Sequence, residues 1–110
     1  MNLPRPLPAL VAALLLLPMG AAPAQAANAT HQVRIEGMKF VPERIEVAAG
    51  DTIVWSNKDF VPHTVTAAAA KVESGELAEG KNFRFVAKKK GEMPYTCRLH
   101  PVMRGTVIVK

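Results

Sequence analysis

A single cysteine, Cys97, rules out an internal disulfide and any zinc site of the Cys2His2 kind. Aromatic residues make up only 5% of the chain and no nucleic-acid-binding motif accompanies them, which argues against a nucleic-acid partner. No apolar run reaches the ~20 residues that a membrane span needs. Long helical periodicity, internal repeats and low-complexity linkers are missing. With 110 residues, there is room for one ordinary domain.

Hydrophobic residues nevertheless reach 49%, and the N-terminus explains part of that excess. Arg5 supplies one positive charge, Ala9 to Leu17 is an unbroken apolar run, Pro18 and Gly20 break it, and Ala24-Gln25-Ala26 forms a small-x-small cleavage pattern. That order is the layout of a secretory signal peptide, assigned to residues 1–26, with the functional domain over 27–110. No cysteine follows the apolar run to take a lipid, and no twin arginine is present. The expectation is export to the periplasm and a soluble, monomeric mature chain of about 84 residues. A core that small is thin, and a bound metal would help it. Removing Arg5 lowers the net charge from +5 to +4. Lys88-Lys89-Lys90, with Lys81 and Arg84 near in sequence, is the densest basic stretch, and its functional reading is a patch that steers an acidic partner protein.

Beyond the leader, period-two alternation dominates. Val33 and Ile35, Ile45 and Val47, Ile53 and Trp55, His63 and Val65, Phe83 and Phe85, Tyr95 and Cys97, and Thr106 to Val109 follow this pattern. Turn signals separate the runs: Gly37, Pro42, Ala49-Gly50-Asp51, Gly75, Glu79-Gly80, Gly91 and His100-Pro101. Seven to eight short strands at this spacing predict an all-β antiparallel sandwich with Greek-key links. Ala67 to Glu79 is expected to be a connection across one end, with one helical turn in its alanines. Alternation also places His63 and Cys97 on inward faces near strand ends.

The chemistry concentrates in Cys97-Arg98-Leu99-His100-Pro101-Val102-Met103, a C-x-x-H-x-x-M pattern. Secretion puts Cys97 where thiols normally pair, so an unpaired one is a liability or a working group. Thiolate and thioether are soft ligands that favour Cu(I), and imidazole holds both Cu(I) and Cu(II). Two His and one Cys in a trigonal plane, with a weak axial Met, make an electron-transfer copper site. His63 is the obvious second histidine; His31, near the mature N-terminus, is outside the pattern and is expected to be solvated.

At these residues the chain resembles the cupredoxins, or type 1 blue copper proteins, and among them the amicyanin-like members with their short ligand loop. Gly50-Asp51-Thr52, Val54-Trp55-Ser56-Asn57, the spacing from Asn57 to His63, and His100-Pro101 through Val109 all contribute. The resemblance implies one type 1 copper held by His63, Cys97, His100 and Met103. It implies that Asn57 ties the ligand loop to the first-His strand, and that Met38, Pro62 and Pro101 belong to an apolar surface around an exposed His100. It also implies electron transfer between larger redox proteins, with a c-type cytochrome and a quinone-cofactor amine dehydrogenase as partners. The mature charge favours an acidic docking face on such a partner. One departure stands out: Leu99 replaces the proline common before the second His, so its N–H is expected to donate to the Cys97 sulfur and raise the reduction potential. A copper chaperone or buffer is the alternative, for which Met38 and Met93 would have to be ligands rather than core. An enzyme is not expected, because the chain lacks a second His cluster to bind a substrate.

Overall fold

The computed structural model describes residues 1–10, 12–16 and 28–110. The cleavage pattern Ala24-Gln25-Ala26 lies outside them, as do Val11 and Leu17 of the apolar run. Nine strands form among the described residues: β1 Thr30–Ile35, β2 Phe40–Val41, β3 Arg44–Val47, β4 Thr52–Asn57, β5 Thr66–Ala67, β6 Val72–Glu73, β7 Asn82–Val86, β8 Gly91–Cys97 and β9 His100–Val109. The helical turn expected in the alanines is present as a 3-10 turn, Ala68–Ala70. No helix among the described residues is long and apolar enough to cross a membrane.

One sheet has the order β2-β1-β4-β7 and the other β3-β9-β8-β5-β6. Both sheets are mixed: β1 runs parallel to β4 and β3 parallel to β9, while the remaining pairs are antiparallel. The sandwich is as expected, but its sheets are not purely antiparallel. Alternation reports which face of a strand is buried, not the direction of its neighbour. The two-residue strands β2, β5 and β6 are also too short to alternate, which accounts for the higher strand count.

Burial follows the alternation in β1, β8 and most of β9, whereas in β4 Val54 is buried along with Ile53 and Trp55. Val33, Ile35, Ile53, Trp55, Tyr95, Cys97 and Val107 are all buried. Phe83 and Phe85 are half-buried because β7 forms an edge of its sheet. His63 departs from the pattern. It makes an isolated bridge to Leu77, through His63 N–H to Leu77 O at 3.1 Å and Leu77 N–H to His63 O at 2.7 Å, rather than lying on a strand. Thr64 beside it is buried too, so no face alternates there. The Ala67–Glu79 connection therefore does more than cross an end: β6 pairs with β5, and Leu77 holds His63.

Tyr95 on β8 bridges the two sheets. Its ring lies 4.7 Å from that of Phe40 at 70° and 5.4 Å from that of Trp55 at 85°. Such edge-to-face pairs contribute about 0.5–1.5 kcal/mol beyond area burial. Tyr95 faces Gly105 in the β8–β9 register, and a Cβ at position 105 would collide with its ring. Glycine at 105 is therefore the condition for the ring to lie across β9.

His31 is not solvated as expected. Its Nε2 lies 2.9 Å from Asp51 Oδ2. Asp51 is buried and accepts N–H bonds from Ala29 and Ala48, both at 2.9 Å, so it clamps the start of β1 to the turn before β4. The His31 hydrogen bond, followed by the Ala48 and Ala29 N–H groups, holds its carboxyl below the usual range.

Tyr95 is the chain's one tyrosine, and burial pushes its hydroxyl from 10 up to about 12. Between those values the unfolded chain releases a proton that the folded state keeps. This contribution is therefore complete below pH ~10 and is lost as pH rises towards 12, on the order of 3 kcal/mol in all. Alkaline titration of the tyrosinate absorbance should show no ionisation at pH ~10 while the fold persists. A midpoint near 10 with intact far-UV circular dichroism would contradict it.

Candidate metal centre

β8 and β9 form a hairpin in which Cys97 faces His100 across the two-residue turn Arg98-Leu99. The turn thus precedes His100, and His100-Pro101 already begins β9. A two-residue turn sets positions i and i+3 opposite one another, which is the physical content of the C-x-x-H spacing. The register shifts between Thr96 and Cys97, an irregularity of the kind that re-aims a side chain.

The hairpin delivers two donors and the Leu77 bridge delivers the third. Cys97 Sγ lies 3.7 Å from His63 Nδ1 and 3.6 Å from His100 Nδ1. All three donor atoms lie within 4.8 Å of one another. A metal at about 2.0 Å from nitrogen and 2.3 Å from sulfur, with 120° between the bonds, sets N and S about 3.7 Å apart. The observed separations match that requirement, and the donor set of one thiolate and two imidazoles suits copper. His63 and Cys97 are 0% exposed, whereas His100 is half-buried and forms the edge of the cluster. Met103 follows three residues after His100 and is buried at 3% exposure. Met93 is core, but Met38 is 42% exposed and is not core.

The groups that hold these donors differ from those expected. Asn57 Nδ2 donates to the carbonyls of Val61 at 2.9 Å and Leu77 at 2.8 Å, and its Oδ1 accepts the Asp59 N–H at 2.9 Å. Asn57 therefore shapes the loop carrying His63; among the described residues it makes no hydrogen bond to the Cys97–Met103 segment. Thr64 makes that link instead. Its N–H donates to Cys97 Sγ at 3.3 Å, and its Oγ1 accepts the Arg98 N–H at 2.7 Å. The sulfur's N–H donor is thus Thr64 and not Leu99, whose side chain lies at the surface. A hydroxyl next to a candidate ligand was the only sequence signal for Thr64, and alternation had turned it outward.

Asp59 was also missed. Its Oδ2 lies 2.9 Å from His63 Nε2, and its two oxygens accept the N–H groups of Gly37 at 2.8 Å and Met38 at 3.0 Å. Burial pushes the Asp59 carboxyl up, but the Met38 and Gly37 N–H groups and the His63 ring together outweigh it and hold it below the usual carboxylate range. With Nε2 engaged in this way, His63 presents Nδ1 to the cluster. The i,i+4 spacing of Asp59 and His63 was the available clue.

Residues 8–109 match the family model described as Cupredoxin-like domain. The chain belongs to the cupredoxin-like family. Amicyanin of Paracoccus denitrificans is 30% identical over 94 residues, covering 81% of this chain and 72% of that one. A solved Cu(I) form of an amicyanin variant superposes with a TM-score of 0.71 at 27% identity, over 79% of this chain and 88% of that one. The copper-containing nitrite reductase of Thermus scotoductus shares the fold at 24% identity and a TM-score of 0.69, and this cupredoxin spans 22% of that enzyme.

Around the centre, Met38, Phe60, Leu99 and Val102 are exposed apolar side chains, with Phe60 at 86% and Val102 at 89%. The basic stretch does not form one patch with them. Lys81 is at the metal end, its carbonyl accepting the Asn57 N–H at 3.0 Å. Lys88-Lys89-Lys90 precede Gly91, at the start of β8, and Cys97 ends that strand. Six residues at ~3.3 Å each separate the two ends by roughly 20 Å.

Replacing Asp59 with alanine frees the His63 ring. Copper affinity should fall about 10- to 100-fold in competition with a chelator, while the urea-unfolding curve of the metal-free protein still shows a cooperative transition. Unchanged affinity would remove Asp59 from the centre.

Proposed function

We propose that this cupredoxin is a soluble periplasmic carrier of single electrons, with one type 1 copper held by His63, Cys97, His100 and Met103. The observation that carries the proposal is the three-donor cluster, assembled and buried, with only the His100 edge near solvent. Copper, when bound, supplies the Cu(II)/Cu(I) couple. The protein's own residues do the rest. Asp59 orients His63, Thr64 donates to the sulfur and ties the hairpin down, and the Arg98-Leu99 turn sets the distance from Cys97 to His100. Side chains fixed in this way have little freedom to rearrange when the charge of the centre changes. Met38, Phe60, Leu99 and Val102 supply apolar surface that can exclude water where a partner meets the His100 edge.

Residues 1–26 act as a signal peptide in this proposal, with 27–110 as the mature domain. The partners are larger redox proteins, a quinone-cofactor amine dehydrogenase as donor and a c-type cytochrome as acceptor. An acidic partner face finds Lys81 at the metal end but not the lysine run. The exposed Met38 is the one observation that favours copper delivery instead, since thioethers bind Cu(I). Catalysis is not proposed, because a single His/Cys cluster is present among the described residues.

Visible absorption and EPR spectra of the Cu(II)-loaded protein test the proposal. An intense blue thiolate-to-copper band with a narrow copper hyperfine splitting is expected, and Cys97→Ser should abolish the band. A pale protein with an ordinary tetragonal signal would favour the delivery role.

A further inference from the structure

Thr64 gives its N–H to the Cys97 sulfur, and Thr64 is itself held by a chain of hydroxyls that ends on a surface carboxylate. Its buried Oγ1 accepts the Arg98 N–H at 2.7 Å and lies 2.8 Å from Thr66 Oγ1. Thr66 Oγ1 in turn lies 3.3 Å from Glu73 Oε1 and 3.2 Å from Glu73 Oε2. The same carboxylate accepts the Arg98 Nε–H at 2.8 Å and the Gly75 N–H at 2.9 Å. Arg98 is thus gripped at its backbone and at its guanidinium, and the bonds close a ring through Thr64, Thr66 and Glu73.

Chemistry sets the direction of that ring. A carboxylate only accepts, whereas a hydroxyl has one proton and two lone pairs. The Arg98 guanidinium, followed by the Gly75 N–H, holds the Glu73 carboxyl below its usual range, so it stays ionised at neutral pH. Thr66 therefore gives its proton to Glu73 and receives that of Thr64. The lone pairs of Thr64 are left for the Arg98 N–H, as observed. The backbone between is gripped as well. Thr66 faces Glu73 in the β5–β6 register, the Val65 N–H donates to Ser74 Oγ at 2.8 Å, and the Ser74 N–H donates to Val65 O at 3.0 Å. An exposed ion pair such as Glu73–Arg98 contributes little alone. The hydroxyl chain into buried Thr64 is the part that reaches the centre.

We propose that Glu73 is a positioning residue for the metal centre: through Thr66 and Thr64 it keeps the Thr64 N–H on the Cys97 sulfur, and so sets the reduction potential from the surface. An N–H bond draws electron density from the thiolate and favours Cu(I), so its loss lowers the potential. The effect on the potential rests on the electron-carrier reading, whereas the hold on the Thr64 and Arg98 amides needs no copper.

The test is amide hydrogen exchange of the metal-free protein by NMR, followed by potentiometry of the copper-loaded protein. Glu73→Ala and Thr66→Val should each speed exchange at the Thr64 and Arg98 amides about tenfold, the loss of one hydrogen bond. The β1 amides should keep the parent rates. The double variant should exchange no faster than either single one, because both cut the same chain. Thr66→Val leaves the net charge unchanged, so its potential should fall with the blue band retained, and Thr66→Ser, which restores the hydroxyl, should return the potential and the exchange rates to the parent values. Parent-like exchange in Glu73→Ala, additive effects in the double variant, or an unchanged potential in Thr66→Val would overturn the proposal. So would acceleration that extends equally to β1, which would make Glu73 a general stabiliser. A parent protein without the blue band would defeat the carrier reading and leave the exchange result standing.

Discussion

The centre depends on the seam between Thr64 and the Cys97–His100 hairpin. Two donors come from that hairpin, but the third, His63, lies 34 residues before Cys97. Two hydrogen bonds in opposite directions close the gap. The Thr64 N–H reaches the sulfur, and the Thr64 hydroxyl receives the Arg98 N–H. Both ends are buried or partly so, and a buried N–H left without an acceptor costs about 1–3 kcal/mol. The seam therefore resists opening whether or not a metal is present. A second contact, from Asp59 to His63 and to the Gly37-Met38 turn, pins the same loop from the other sheet.

The folding of the chain supports that seam from below. Tyr95 sits two residues before Cys97 on β8 and packs against Phe40 and Trp55 of the facing sheet. Gly105 on β9 makes room for its ring. The strand that presents the thiol is thus anchored by the largest aromatic cluster in the core. Glu73 extends the support outward, pairing with Arg98 at 2.8 Å and with the Thr66 hydroxyl, which itself lies 2.8 Å from that of Thr64.

What could be read from the residues divides along physical lines. Regular strands with one buried face, such as β1 and β8, announce themselves by alternation, and a soft-ligand triplet at three-residue spacing is too unusual to be background. His63, Cys97 and His100 do lie together, although His63 gets there through a bridge and not a strand. The groups that fix the donors were less legible. Asn57 was favoured by family resemblance and Leu99 by a departure from it, and the bonds fell to Thr64 and Asp59. A hydrogen bond across 33 residues depends on the angle at which two loops meet, and no local pattern encodes that angle. Strand direction has the same limit: β1 against β4 and β3 against β9 are set by how the chain crosses between sheets.

The molecule is asymmetric along its length, with the Lys88–Lys90 run at one end and the His100 edge among exposed apolar side chains, with Lys81 nearby, at the other. That asymmetry matters wherever the protein meets a charged solid. On a negatively charged electrode it would settle with the lysine end down and hold the redox group away from the metal surface by the length of β8. Voltammetry would then be sluggish for reasons of posture, and an alkane-coated electrode, which attracts the opposite end, would be the surface on which to read the centre's intrinsic speed.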